Sequence, residues 1–326
     1  MNRRFETSRP GLRGAAALDW ATTIAGALAV GLLALCLTTN AASAKVRVVA
    51  SLNDLGSIAA SVGGDQVEVV GICRANSDPH RVEVLPSYMV RVSRAQIYLK
   101  VGLGLDQWAD QIIDGSHNGD LLIVDCSKDV PVLEKPTGKV DASMGDIHPQ
   151  GNPHYWLDPR NGAIVARTVA EALSRVDPTH AADFAARAEQ LAKAAEVVLE
   201  RGKEAVASLP KPYLITYHRS WSYLANAFGL DVVSTIEPIP GIPPTGRHLQ
   251  DLVSVIKERK VGIVFEEPYF SEDSGEFLAR QTGIRVVQVS ATCAAVTAGS
   301  YIAHFEELVT ILTNSKAEAG VAPAGR

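Results

Sequence analysis

The chain has 326 residues, with 31 Lys+Arg against 36 Asp+Glu, 47% hydrophobic and 21% charged. That composition excludes an intrinsically disordered chain, and the acidic balance with no basic stripe excludes a nucleic-acid-binding surface. Past residue 44 the balance becomes 27 against 34, a net of −7, and the 282 residues left suffice for two lobes, each with a core.

Residues 1–44 read as an address. Arg3, Arg4, Arg9 and Arg13 precede a 17-residue uncharged apolar run from Ala21 to Leu37. Ala42–Ser43–Ala44 then supplies small residues for cleavage before Lys45, the order of a secretory signal peptide leading to a periplasmic mature protein. The alternative is a single membrane anchor, since the run lies at the lower edge of spanning length. Leu35 before Cys36 is too large for a lipidation site. Cys73, Cys126 and Cys293 remain, an odd number, and are read as small buried residues with at most one disulfide.

Four β-branched apolar runs follow, at 46–51, 67–73, 95–102 and 121–127, with helical stretches such as Leu52–Val62 and Pro86–Arg94 between them. Nearly continuous runs of this kind suit parallel strands covered on both faces. A second set lies at 213–218, 230–236, 261–267 and 284–290, with helices expected at Trp221–Phe228, His248–Lys257 and Ser274–Thr282. Between the sets, Asp158–Pro159 and Asp177–Pro178 each place a capping carboxylate before a proline at the first helical position. From the second start, Phe184, Ala188, Leu191, Ala195, Val198, Gly202, Ala205 and Leu209 form one small-residue stripe. The expected fold class is α/β, with two lobes of mostly parallel sheet flanked by helices and joined by one long rigid helix. The divisions are a signal peptide at 1–44, an N-terminal lobe at 45–176, the linking helix at 177–209, a C-terminal lobe at 210–316 and a disordered tail at 317–326.

Three of the eight histidines stand out by position. His80 lies just beyond the second strand in Ser77–Asp78–Pro79–His80, and His218 directly follows the first strand of the second set. His154 lies in Gly151–Asn152–Pro153–His154–Tyr155–Trp156, a stiff approach to a capped helix. Open α/β sheets bind ligands outside the carboxyl ends of their strands. Three imidazoles meeting in an interlobe cleft would form a nitrogen site for a borderline divalent cation, although separations of 74 and 64 residues match no local metal motif. His148 is an accessory candidate, while His117, His180, His248 and His304 are read as structural. Phosphate-loop, dinucleotide, nucleophile-elbow and H-E-x-x-H patterns are absent.

Taken in order, six segments resemble the zinc/manganese substrate-binding proteins of bacterial ABC importers, the cluster A-I or TroA-like family. They are Asp78–Pro79–His80, Gly102–Leu103–Gly104–Leu105–Asp106–Gln107–Trp108, Gly151 to Pro159, Tyr217–His218–Arg219–Ser220–Trp221, Glu237 to Pro244, and Phe265–Glu266–Glu267–Pro268. The resemblance covers residues 46–314. It implies a metal site in the interlobe cleft, with ligands at His80, His154 and His218. Where the family often carries a ligand carboxylate this chain has Ser290, which implies either three histidines plus water or a substitute carboxylate, for which Glu267 is the candidate.

The resemblance implies a monomer that captures a divalent ion in the periplasm and delivers it to an inner-membrane permease, with no covalent chemistry. A histidine in the third position favours zinc, with manganese second, because manganese prefers oxygen ligands. The rivals are a zinc-dependent hydrolase built on three histidines with Glu267 as general base, and a periplasmic metal chaperone or adhesin on the same fold.

Overall fold

The computed structural model describes residues 1–2 and 44–318, apart from 139, 141–144 and 146–147. The leader assigned to 1–44 and the tail assigned to 317–326 thus fall almost wholly outside the described residues. In the first half, β1 (Val46–Leu52), β2 (Val67–Cys73), β3 (Ile97–Lys100) and β4 (Leu122–Asp125) form a parallel sheet in the order β2-β1-β3-β4. In the second, β5 (Tyr213–Thr216), β6 (Asp231–Thr235), β7 (Ile263–Glu266) and β8 (Arg285–Gln288) repeat it as β6-β5-β7-β8, again all parallel. Seven of the eight strands lie within the apolar runs read from the sequence, and β1 extends one residue past its run, to Leu52. Burial follows position in the sheet. Central β1 and β7 are buried almost throughout, whereas edge strand β4 alternates between half-buried and exposed residues.

The helices are α1 (Asn53–Gly63), α2 (Pro86–Val92), α3 (Trp108–Ser116), α4 (Pro159–Val176), α5 (Ala181–Ala207), α6 (Ser222–Phe228), α7 (Gly246–Arg259), α8 (Asp273–Thr282) and α9 (Ser300–Glu318). Asp158 caps α4 as its sequence suggests, accepting the Arg160 backbone N–H at 2.8 Å. Asp177 does not cap the linking helix. Pro178–His180 forms a 3-10 turn first, and the Asp177 carboxylate is taken by His180 Nδ1 at 2.6 Å. The linker α5 then runs 27 residues without a break, about 40 Å at 1.5 Å per residue.

The α5 stripe is buried from Phe184 to Val206. Gly202 is a close-approach position: a Cβ there would meet the Phe228 ring at 2.4 Å. From Lys45 onward the chain forms one compact unit. Its larger core takes in β1 to β3, the α5 stripe, Leu214, Trp221 and Phe265, while a smaller one holds Ile215, Ile236, Leu252 and Val264. Neighbours along β5 and β7 point to opposite faces of the second sheet, which is why Leu214 and Ile215 enter different cores.

Past β8 the chain returns to the first half. Cys293 N donates to the Asp54 carboxylate at 3.1 Å, Ser57 Oγ donates to Thr297 O at 2.8 Å, and Tyr301 OH donates to Trp156 O at 2.7 Å. Cys73, Cys126 and Cys293 are all free and buried. Among the described residues no helix is long and apolar enough to cross a membrane.

Candidate metal centre

His80, His154 and His218 reach one point from three segments, and each is held by a different acceptor. The turn after β2 is built by Asp78, whose Oδ1 accepts the His80 backbone N–H and its Nδ1–H, both at 2.9 Å. Trp108 at the start of α3 donates its indole N–H to Pro79 O at 2.9 Å, pinning that turn to the first lobe. Asn152 repeats the device for His154, with its Oδ1 accepting the backbone N–H at 3.0 Å and Nδ1–H at 2.9 Å. The Asn152 amide then donates to Arg219 O at 2.9 Å and Glu134 Oε2 at 3.0 Å, which ties the His154 segment to the residue after His218. His218 stands two residues past β5, and its Nδ1–H is accepted by Glu237 Oε2 at 2.7 Å. The same oxygen accepts the Gly241 N–H at 3.1 Å, within a turn where Gly241 has φ +78°.

These contacts decide the tautomers. Carboxylate and amide oxygens only accept, so each Nδ1 carries the proton and each Nε2 keeps its lone pair for a ligand. His80 Nε2 and His154 Nε2 are buried and make no hydrogen bond. One ring nitrogen from each of the three lies within 4.8 Å of those of the other two, and the ring centroids are 5.2–5.4 Å apart. That spacing suits a single ion at about 2.0–2.1 Å from each nitrogen.

The electrostatics agree. Burial, reinforced by the neighbouring His80, His218 and His148, holds His154 well below the ordinary histidine value, so it stays neutral. Burial pushes the Asp78 carboxyl up, but the hydrogen bond and charge of His80 outweigh it and leave Asp78 below its usual value. The site thus combines nitrogen donors facing inward with carboxylates behind two of them.

Glu267 is not among the residues whose ligand atoms meet there. It follows β7 and is fully buried, its Oε1 accepting the Trp221 indole N–H at 3.0 Å. Burial raises its carboxyl to about 8. Ser290 is turned away as well. Its Oγ donates to Ala75 O at 2.5 Å and accepts the Thr292 N–H at 3.0 Å, joining the two halves beside the site. His117 ends α3 in the left-handed conformation, His248 Nε2 pairs with Thr235 O at 2.9 Å, and His180 and His304 lie on other helices. None of the four joins the cluster.

The sequence reading missed the positioning side chains. Asp78 and Asn152 had a visible signal, an Asx residue two places before each histidine. Glu237 had none, because it lies 19 residues from His218 and meets it only through the pairing of β5 with β6.

Two parallel sheets, a long helix between them and a cluster of imidazoles define a metal-binding substrate-binding protein of the ABC-importer class. The chain matches the family model for the periplasmic component A of the zinc-uptake complex, ZnuA, over residues 48–315, and belongs to that family. It is 26% identical to a putative metal-binding protein of Treponema pallidum over 249 residues, 74% of this chain and 78% of that protein. It is likewise 26% identical to the iron-binding protein YfeA of Yersinia pestis, covering 73% and 75% of the two chains. A crystal structure of ZnuA superposes with a TM-score of 0.73 at 24% identity, over 83% of this chain and 99% of that one.

Proposed function

We propose that this protein captures one zinc ion in the periplasm and delivers it to the permease of an ABC importer. The observation that carries the reading is the convergence of His80, His154 and His218 with every Nδ1 already engaged, which presets three neutral nitrogen donors. Relatives are named for zinc, manganese and iron, so the choice of ion rests on the donors. Imidazole suits zinc, whereas manganese prefers carboxylate and carbonyl oxygen. The signal-peptide order at residues 1–44 supports export, and the family description supports the periplasm.

Binding without catalysis is favoured by the placement of Glu267. A hydrolase needs a general base beside the metal-bound water, and the Glu267 carboxyl is held by Trp221 outside the cluster. Calorimetry on metal-stripped protein tests the proposal. One zinc per chain is expected, with affinity falling at least about tenfold in His80→Ala, His154→Ala and His218→Ala but not in His117→Ala. Unchanged affinity in all three single variants refutes it.

A further inference from the structure

Three imidazoles leave one side of a tetrahedral ion open. Both residues that the sequence offers for it are engaged elsewhere, Ser290 with Ala75 O and Glu267 with the Trp221 indole. A fourth imidazole stands beside the cluster, close to His80 but outside the group of three whose nitrogens lie within 4.8 Å of one another. The His148 ring centroid lies 5.3 Å from that of His80, within the 5.2–5.4 Å range that separates the other three rings. Its Nε2 is buried, and its ring lines the same cavity as His154, His218 and Pro240.

The segment carrying His148 is seated against the turn that follows Glu237. Gly145, at φ +69°, approaches that turn so closely that a Cβ would lie 2.2 Å from Pro240 O. Past the ring, Gly151 N donates to His148 O at 3.0 Å and closes a turn that leads straight into Asn152 and His154. The sequence adds an independent observation. Asp78–Pro79–His80 and Asn152–Pro153–His154 each place an Asx residue two positions before a ligand histidine, and Asp146–Ile147–His148 has the same order. Asp146 lies outside the described residues and enters by its place in the sequence alone.

We infer that His148 is the fourth metal ligand, so that the ion is held by four imidazoles rather than by three and a carboxylate. The inference rests on the metal-binding reading above. Four neutral nitrogen donors leave the ion its full charge, which the carboxylates of Asp78 and Glu237 balance from behind His80 and His218. Such a set favours zinc and other nitrogen-preferring ions over manganese more strongly than a site with a carboxylate does.

X-ray absorption at the zinc edge, which counts imidazoles by their multiple scattering, tests this on the unaltered protein loaded with one zinc. Four imidazoles are expected, and three in His148→Ala, with zinc affinity reduced at least about tenfold and manganese affinity reduced less. An unchanged denaturation midpoint of the metal-free variant shows that its fold is intact. Three imidazoles in the unaltered protein, or unchanged affinity and imidazole count in the variant, overturn the inference and leave the metal-binding reading standing. Failure of the unaltered protein to bind any divalent ion overturns both.

Discussion

Replacing Glu267 with Gln should remove a large pH dependence from the stability of the metal-free protein. The carboxyl is fully buried, and burial lifts it from 4.5 to about 8. The folded state therefore keeps a proton that the unfolded chain loses near 4.5. A group raised in this way contributes stability in full below about pH 4.5 and loses it as pH rises through about 8. Each unit is worth about 1.36 kcal/mol, so between pH 5 and pH 9 the fold should lose about 4 kcal/mol through this group alone. Gln keeps the acceptor for the Trp221 indole and cannot ionise. At pH 5 the variant should match the parent within about 1–3 kcal/mol, the range for one imperfectly paired buried amide. By pH 9 it should have gained about 4 kcal/mol relative to the parent. Urea unfolding of both metal-free proteins at pH 5, 7 and 9, followed by tryptophan fluorescence, reads this directly. Glu266, raised to about 7 chiefly by burial, adds a slope of the same sign, but it is common to both proteins and cancels in the comparison. Parallel pH profiles for variant and parent would mean that Glu267 is ionised in the folded state, and would refute the argument.

Three further variants test other contacts. Asn152→Asp replaces two amide donations, to Arg219 O and Glu134 Oε2, with like-charge and lone-pair repulsion. Zinc affinity measured by competition with a chromophoric chelator should drop about 10–100-fold, as should that of Glu237→Gln through loss of the charge behind His218. Gly202→Ala would strengthen a free helix by about 1 kcal/mol. Against the Phe228 ring it should instead destabilise the fold, since overpacking costs about 1–3 kcal/mol, and a chemical-denaturation midpoint above the parent's would contradict that packing.

Much of this architecture was legible because its signals are local. Strand runs, Asp–Pro helix starts and the α5 stripe are written within windows of about 5–30 residues, and from them the strands and the long helix are legible. His80, His154 and His218 could be singled out because a strand end or a stiff Asx–Pro–His turn is itself a local feature. Long-range contacts were not legible. Glu267 stands at a strand end, but it is the pairing of β5 with β7 that sets its carboxyl against the Trp221 indole.

Taken alone, the sequence determined the strands and the linking helix, since hydrophobic periodicity and turn chemistry act over short distances. The tertiary structure decided which nitrogen each imidazole presents, because Glu237 reaches His218 only across paired strands and Asn152 binds Arg219 only across the cleft. It also reversed the meaning of Gly202. By composition that residue is a weak point in a helix, but the neighbouring Phe228 ring leaves no room there for a Cβ. Side-chain orientation and available space depend on residues distant in the chain, so neither can be read from local sequence.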